Sequence, residues 1–170
     1  RLSTQKAAKN LGLDIMVMNF SNEAWAIEYE NETIMSGLRS EHVKEAAQVV
    51  SQYCDFIAIR AFASLTDQKR DEEEVVLRKF AAFASVPIIN MESATAHPLQ
   101  ALADGLTIEE QVTIKQPKIV LSWAPHPKAL PHAVANSFIG LMNHTKADFI
   151  ITHPEGYDLN PAIVGKHKVE

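Results

Sequence analysis

Short runs of consecutive apolar residues alternate along this 170-residue chain with segments whose apolar positions recur every three or four residues. The runs DIMVMNF (14–20), DFIAIRAF (55–62), VPIINM (86–91), PKIVLSWAP (117–125) and ADFIITHP (147–154) predict five strands covered on both faces. STQKAAKNLG (3–12), SEHVKEAAQVVSQY (40–53), DEEEVVLRKFAAFA (71–84), HPLQALADGLTIEEQ (97–111) and PHAVANSFIGLMNH (131–144) predict amphipathic helices. Ser3 or Thr4, Ser40 and Asp71 stand where N-caps belong, and Gly12 stands where a helix stops. Apolar strands each followed by a helix predict an α/β fold, a doubly wound parallel sheet, and such sheets bind ligands beyond the carboxyl ends of their strands.

Two segments interrupt the alternation. Residues 21–39, SNEAWAIEYENETIMSGLR, form a long polar stretch containing Trp25 and Gly37, and loops of that length in a compact domain are functional or interfacial. In VTIKQPK (112–118), Pro117 precedes a new strand, which puts a boundary between a first lobe, 1–116, and a second, 117–170.

The strand ends carry the candidate chemistry: Arg60 after DFIAI, Glu92 after PIINM, His126 after IVLSWAP and His153 after DFIIT. Pro98 suits the first turn of a helix, so His97 falls at its N-cap and Gln100 one turn on. An imidazole and an amide then meet near the positive end of the helix dipole, fit for a small ligand with one oxygen needing a donor and one amino group needing an acceptor. A histidine that merely caps the helix is the competing account.

Charge and composition narrow the class. The net charge is −5 and the 16 Lys and Arg are scattered, which argues against a nucleic-acid surface. A single cysteine, Cys54, excludes an internal disulfide and reads as a small apolar residue. No apolar run approaches ~18 residues and the opening residues lack signal-peptide order, so a cytoplasmic protein with no membrane partner is expected. No G-x-G-x-x-G follows a strand, which argues against a nicotinamide site. His126, His132, His144 and His153 match no zinc spacing, so no metal is expected. The acidic run DQKRDEEE (67–74) reads as a solvated helix start.

With H-P-L-Q in place, RLSTQKAAKNLG at the start and ALADGLTIEE after the motif resemble the aspartate and ornithine transcarbamylase family. NEAW, MESATAHPLQ, SWAPHPKALPHAVANSF and ITHPEGYDLNP resemble its branch acting on N-acylated ornithines. The resemblance implies a carbamoyl phosphate-binding lobe over 1–116 and the opening of an acceptor-binding lobe over 117–170. It implies that His97 donates to the carbonyl oxygen of carbamoyl phosphate, that Gln100 and the backbone around Pro98 and Leu99 hold its amino group, and that Arg60 reaches phosphate and carbonyl oxygens. Trp25 would come from a neighbouring subunit of a homotrimer to close that site. Glu92, His126 and Asn136 would contact the acylated ornithine, and Ser40 would sit toward its acyl end. The family uses neither cofactor nor covalent intermediate.

The resemblance also implies a fragment. Arg1 would end a phosphate loop of the form S-x-R-T-R, and a later H-C-L-P motif is not in this sequence. Alone the chain is expected to be inactive; its parent is expected to carbamoylate N-succinyl-L-ornithine in arginine biosynthesis. Ser40 decides for succinyl, since it is neither the proline implied for succinyl users nor the glutamate implied for acetyl users, and so leaves no charge against a second carboxylate. N-acetyl-L-ornithine as acceptor, or a non-catalytic carbamoyl phosphate-binding chain, are the alternatives.

Overall fold

The computed structural model of the protein describes residues 2–20, 26–31, 33–35 and 39–170; Arg1 and Trp25, both invoked above, lie outside the described residues. Helix α1 (Leu2–Asn10) is followed by the short strands β1 (Ile27–Glu28) and β2 (Glu41–His42), then α2 (Val43–Val50) and β3 (Ile57–Arg60). Two short helices, α3 (Gln68–Glu72) and α4 (Val75–Phe83), lead to β4 (Ile88–Glu92) and α5 (Pro98–Gln111). The chain continues through β5 (Lys118–Ser122), α6 (Ala133–Met142), β6 (Asp148–Thr152), α7 (Pro161–Val164) and β7 (Lys168–Val169). Every strand pairing among the described residues is parallel: β1 with β2, β3 with β4, and β5–β6–β7 in that order. Helices join β3 to β4, β5 to β6 and β6 to β7, as the alternation of apolar runs and amphipathic segments predicts.

Four of the five expected strands form. The exception is 14–20, which makes no ladder with a described strand, and Leu13, Ile15, Met16, Val17 and Met18 lie exposed. An apolar run becomes a strand only where a neighbour takes up its backbone hydrogen bonds.

The caps move as well. Ser3 and Thr4 fall inside α1. Ser40 donates its N–H to the Ala26 carbonyl (3.2 Å) and leads into β2, while His42 caps α2 by accepting the Lys44 N–H at 3.1 Å. The expected helix at 71–84 is two helices. Asp67 caps α3, and the Asp71 carboxylate instead accepts the N–H groups of Ser64 and Leu65 at 2.8 and 2.9 Å. Gly12 ends α1 as expected: its φ of +70° lets the Leu13 N–H return to the Ala8 carbonyl at 2.9 Å.

Two apolar clusters hold these elements. Ile27, Val43, Ala46, Ala47 and Phe80 are buried together where α2 packs on α4. Ile139, Met142, Phe149, Ile151 and Leu159 are buried where α6 covers β5 and β6. Helix α5 crosses α6 at Gly105, where a Cβ would lie 3.2 Å from the Leu141 side chain. That close approach brings the loop before α5 against α6. Among the described residues no helix is long and apolar enough to cross a membrane.

Candidate active site

The register of β3 against β4 assembles the first pair. Ile57, Ala58 and Ile59 face Ile88, Ile89 and Asn90 in turn, but Arg60 faces Glu92, so Met91 is an extra residue on β4. Because side chains alternate faces along a strand, the extra residue sets Arg60 and Glu92 on one side of the sheet. Arg60 Nε donates to Glu92 Oε2 at 2.8 Å, and the guanidinium carbon lies 4.3 Å from the centroid of the Phe62 ring. Glu92 is only 8% exposed, so it needs this charged partner. The pair uses one of the five N–H donors of Arg60.

His97 adds the third member. It is the N-cap of α5, its Nδ1 accepting the Gln100 N–H at 3.3 Å, with Pro98 in the first turn. A neutral ring whose Nδ1 accepts carries its proton on Nε2, and Nε2 lies 3.5 Å from Glu92 Oε2. One nitrogen thus caps the helix, and the other is left as a donor on the side of Glu92. Gln100 is oriented too, because its Nε2 donates to Asp104 Oδ1 at 2.8 Å, which leaves Oε1 as the acceptor. Leu99 is part-exposed beside it.

The loop that delivers His97 is held at several points. The Ser93 hydroxyl takes the N–H groups of Ala96 and of the Asn90 side chain (3.2 and 2.9 Å). The His97 N–H donates to Ser137 Oγ on α6 at 2.7 Å. Asn136, expected to meet the acceptor, donates Nδ2 to the Thr95 carbonyl at 3.0 Å, and its buried Oδ1 has no partner among the described residues. From the other side Glu74 accepts both the N–H and the hydroxyl of Thr95, at 3.1 and 2.7 Å.

The remaining residues gather less closely. His126 follows β5 by four positions; the Tyr157 hydroxyl accepts its N–H at 3.0 Å and donates to its carbonyl at 3.2 Å. His153, directly after β6, stacks on Trp123 with ring centroids 5.0 Å apart. Ser40 lines an open depression with Thr33, Met35, Glu41, His42 and Glu45. Arg39, next to Ser40, is tied to Glu28 at 2.5 Å. The N–H groups of Glu30 and Tyr29 and the Arg39 charge hold the Glu28 carboxyl below its ordinary pKa against the opposing effect of burial.

Sequence reasoning missed Glu74, Ser137 and Tyr157. Tyr157 and Ser137 lie within quoted motifs, but neither has a spacing that announces a backbone clamp. The sequence places Glu74 in a solvated acidic run, but in the structure its carboxylate is half-buried and hydrogen-bonded.

Residues 1–110 match the carbamoyl-P binding domain of aspartate/ornithine carbamoyltransferases. The chain is 51% identical over its whole length to an N-succinylornithine carbamoyltransferase of Bacteroides thetaiotaomicron, covering 54% of that protein. It is 38% identical over 157 residues, 91% of the chain and 46% of the relative, to an N-acetylornithine carbamoyltransferase of Xanthomonas campestris pv. campestris. A glutamate-to-serine mutant of N-acetyl-L-ornithine transcarbamylase, solved with carbamyl phosphate and N-succinyl-L-norvaline, superposes with a TM-score of 0.91 at 35% identity, covering 100% of this chain and 55% of the other. The chain thus spans about half the length of the curated relatives it matches. With parallel α/β topology, the matched carbamoyl-P domain and the Arg60–Glu92–His97 cluster together, the chain belongs to the aspartate/ornithine carbamoyltransferase family.

Proposed function

We propose that the full-length protein containing this chain transfers the carbamoyl group of carbamoyl phosphate to the δ-amine of N-succinyl-L-ornithine, giving N-succinyl-L-citrulline and phosphate, in the cytoplasmic synthesis of arginine. Residues 1–116 form the carbamoyl phosphate lobe in this reading, and 117–170 open the acceptor lobe. The observation that carries it is the convergence of Arg60 and His97 on Glu92 at the carboxyl ends of β3 and β4.

The neutral amine attacks the carbonyl carbon, a C–N bond forms, and the C–O bond to phosphate breaks. The electron pair leaves with phosphate, which takes the amine's proton. His97 Nε2–H donates to the carbonyl oxygen as negative charge gathers there. Gln100 Oε1 and the backbone at Pro98 and Leu99 receive the carbamoyl amino group. Arg60 turns its remaining donors to the phosphate and carbonyl oxygens, and Glu92 is then an acceptor for the incoming acylornithine, which His126 and Asn136 also contact. Catalysis is positioning and electrostatics.

The name of the 51% identical relative supports the succinyl group. The acetyl-using relatives and solved structures make N-acetyl-L-ornithine the second reading. Titrating carbamoyl phosphate into the full-length protein tests the first step: saturable binding is expected, with Gln100→Ala weakening it about tenfold through loss of one polar contact. Binding untouched by Gln100→Ala contradicts the assignment.

Trp25 is proposed to close the carbamoyl phosphate site of an adjacent subunit in a homotrimer. Mixing Trp25→Ala and Arg60→Ala proteins is then expected to restore activity in hybrid trimers, since some sites receive neither lesion. A fully active monomer, read by sedimentation and assay, contradicts this.

A further inference from the structure

Glu74 is the one non-glycine residue besides Leu65 at positive φ among the described residues, with φ 49° and ψ 43° at the break between α3 and α4. Left-handed backbone at a residue with a Cβ is strained and persists only where its surroundings hold it. What holds it here is Thr95, whose N–H and hydroxyl both donate to Glu74 Oε1. The break turns the carboxylate from the solvated face of the acidic run onto the loop ahead of His97. The opposite side of Thr95 is also fixed, because its carbonyl takes the Asn136 amide from α6. Two residues later the His97 N–H is held by Ser137 on the same helix.

We propose that Glu74 is a positioning residue: its carboxylate fixes Thr95, and through Thr95 the backbone that aims His97 Nε2 at the reacting carbonyl. This rests on the proposed function and names a further determinant of it. Burial would raise the pKa of Glu74, but hydrogen bonds from Ser93 and Thr95 and the charge of Arg78 outweigh it and hold the carboxyl below its ordinary value. The clamp is therefore charged at neutral pH and is lost only as pH falls through that lowered value.

In the full-length protein, Glu74→Ala is expected to lower kcat about 10- to 100-fold, the size of effect seen when a reacting group is misplaced by about an ångström. The KM for carbamoyl phosphate should stay within about threefold, since the lost interaction matters in the transition state. Glu74→Gln keeps an oxygen that accepts both Thr95 donors and should recover most of kcat. A residue that served folding alone would lower Tm and leave kcat per folded molecule unchanged; that result overturns the inference, as does a Gln variant no better than Ala. Should Glu74→Ala fail to fold, Thr95→Val and Thr95→Ser decide: Val, which lacks the hydroxyl, should lose kcat and Ser should regain it, and equal turnover in the two overturns the inference. An inactive wild type contradicts the proposed function and this inference with it. An active wild type with unaffected variants contradicts this inference alone.

Discussion

His97→Ala in the full-length protein is expected to lower kcat by about 10²–10³-fold, the usual cost of removing one donor from a developing oxyanion. The same substitution removes the cap of α5, worth about 1 kcal/mol, so a loss of stability will accompany it. His97→Asn separates the two effects. Its short side chain supplies a capping oxygen to the Gln100 N–H but cannot reach the position of Nε2, so stability should return while turnover does not. Arg60→Ala should produce a kcat loss of similar order, together with some destabilisation, because it leaves the 8%-exposed Glu92 without its 2.8 Å partner. Near-normal turnover of both alanine variants at saturating substrates would contradict the roles proposed for them.

The second large effect concerns the acceptor. Ser40→Glu is expected to lower kcat/KM for N-succinyl-L-ornithine at least about tenfold, since a like charge beside a ligand carboxylate costs more than 1.4 kcal/mol. Arg39 offers limited compensation because it is engaged with Glu28. Use of N-acetyl-L-ornithine should rise or hold steady in the same variant. Parallel changes in both acceptors would show that position 40 acts on something other than the acyl group.

Much of this was legible in the chain itself because the signals were local. Pro98 after His97 fixed a helix start, and α5 begins there with His97 as its cap. Continuous apolar runs marked β3 to β6, and residues at or just past their ends supplied Arg60, Glu92 and His153. What stayed hidden was non-local. The run 14–20 has the composition of a strand, but pairing depends on a neighbour. The facing of Arg60 and Glu92 depends on one extra residue at Met91, a register fact no periodicity carries. Glu74 differs from Glu72 and Glu73 only by the left-handed turn that aims it inward. Asn136 and Ser137 were visible as a polar pair on a helix, yet their grip on Thr95 and His97 follows from how α6 packs on α5 at Gly105.

In the proposed reaction the strand-end cluster serves carbamoyl transfer to an N-acylated ornithine, with succinyl preferred. That reaction is tested most directly by kcat/KM of the full-length protein for N-succinyl-L-ornithine, N-acetyl-L-ornithine and ornithine at saturating carbamoyl phosphate. The expected order is succinyl, acetyl, ornithine, with the corresponding citrullines as products. An acetyl preference of about tenfold or more, worth 1.4 kcal/mol in transition-state binding, would overturn the choice of acceptor, and no transfer to any of the three would contradict the proposed reaction itself.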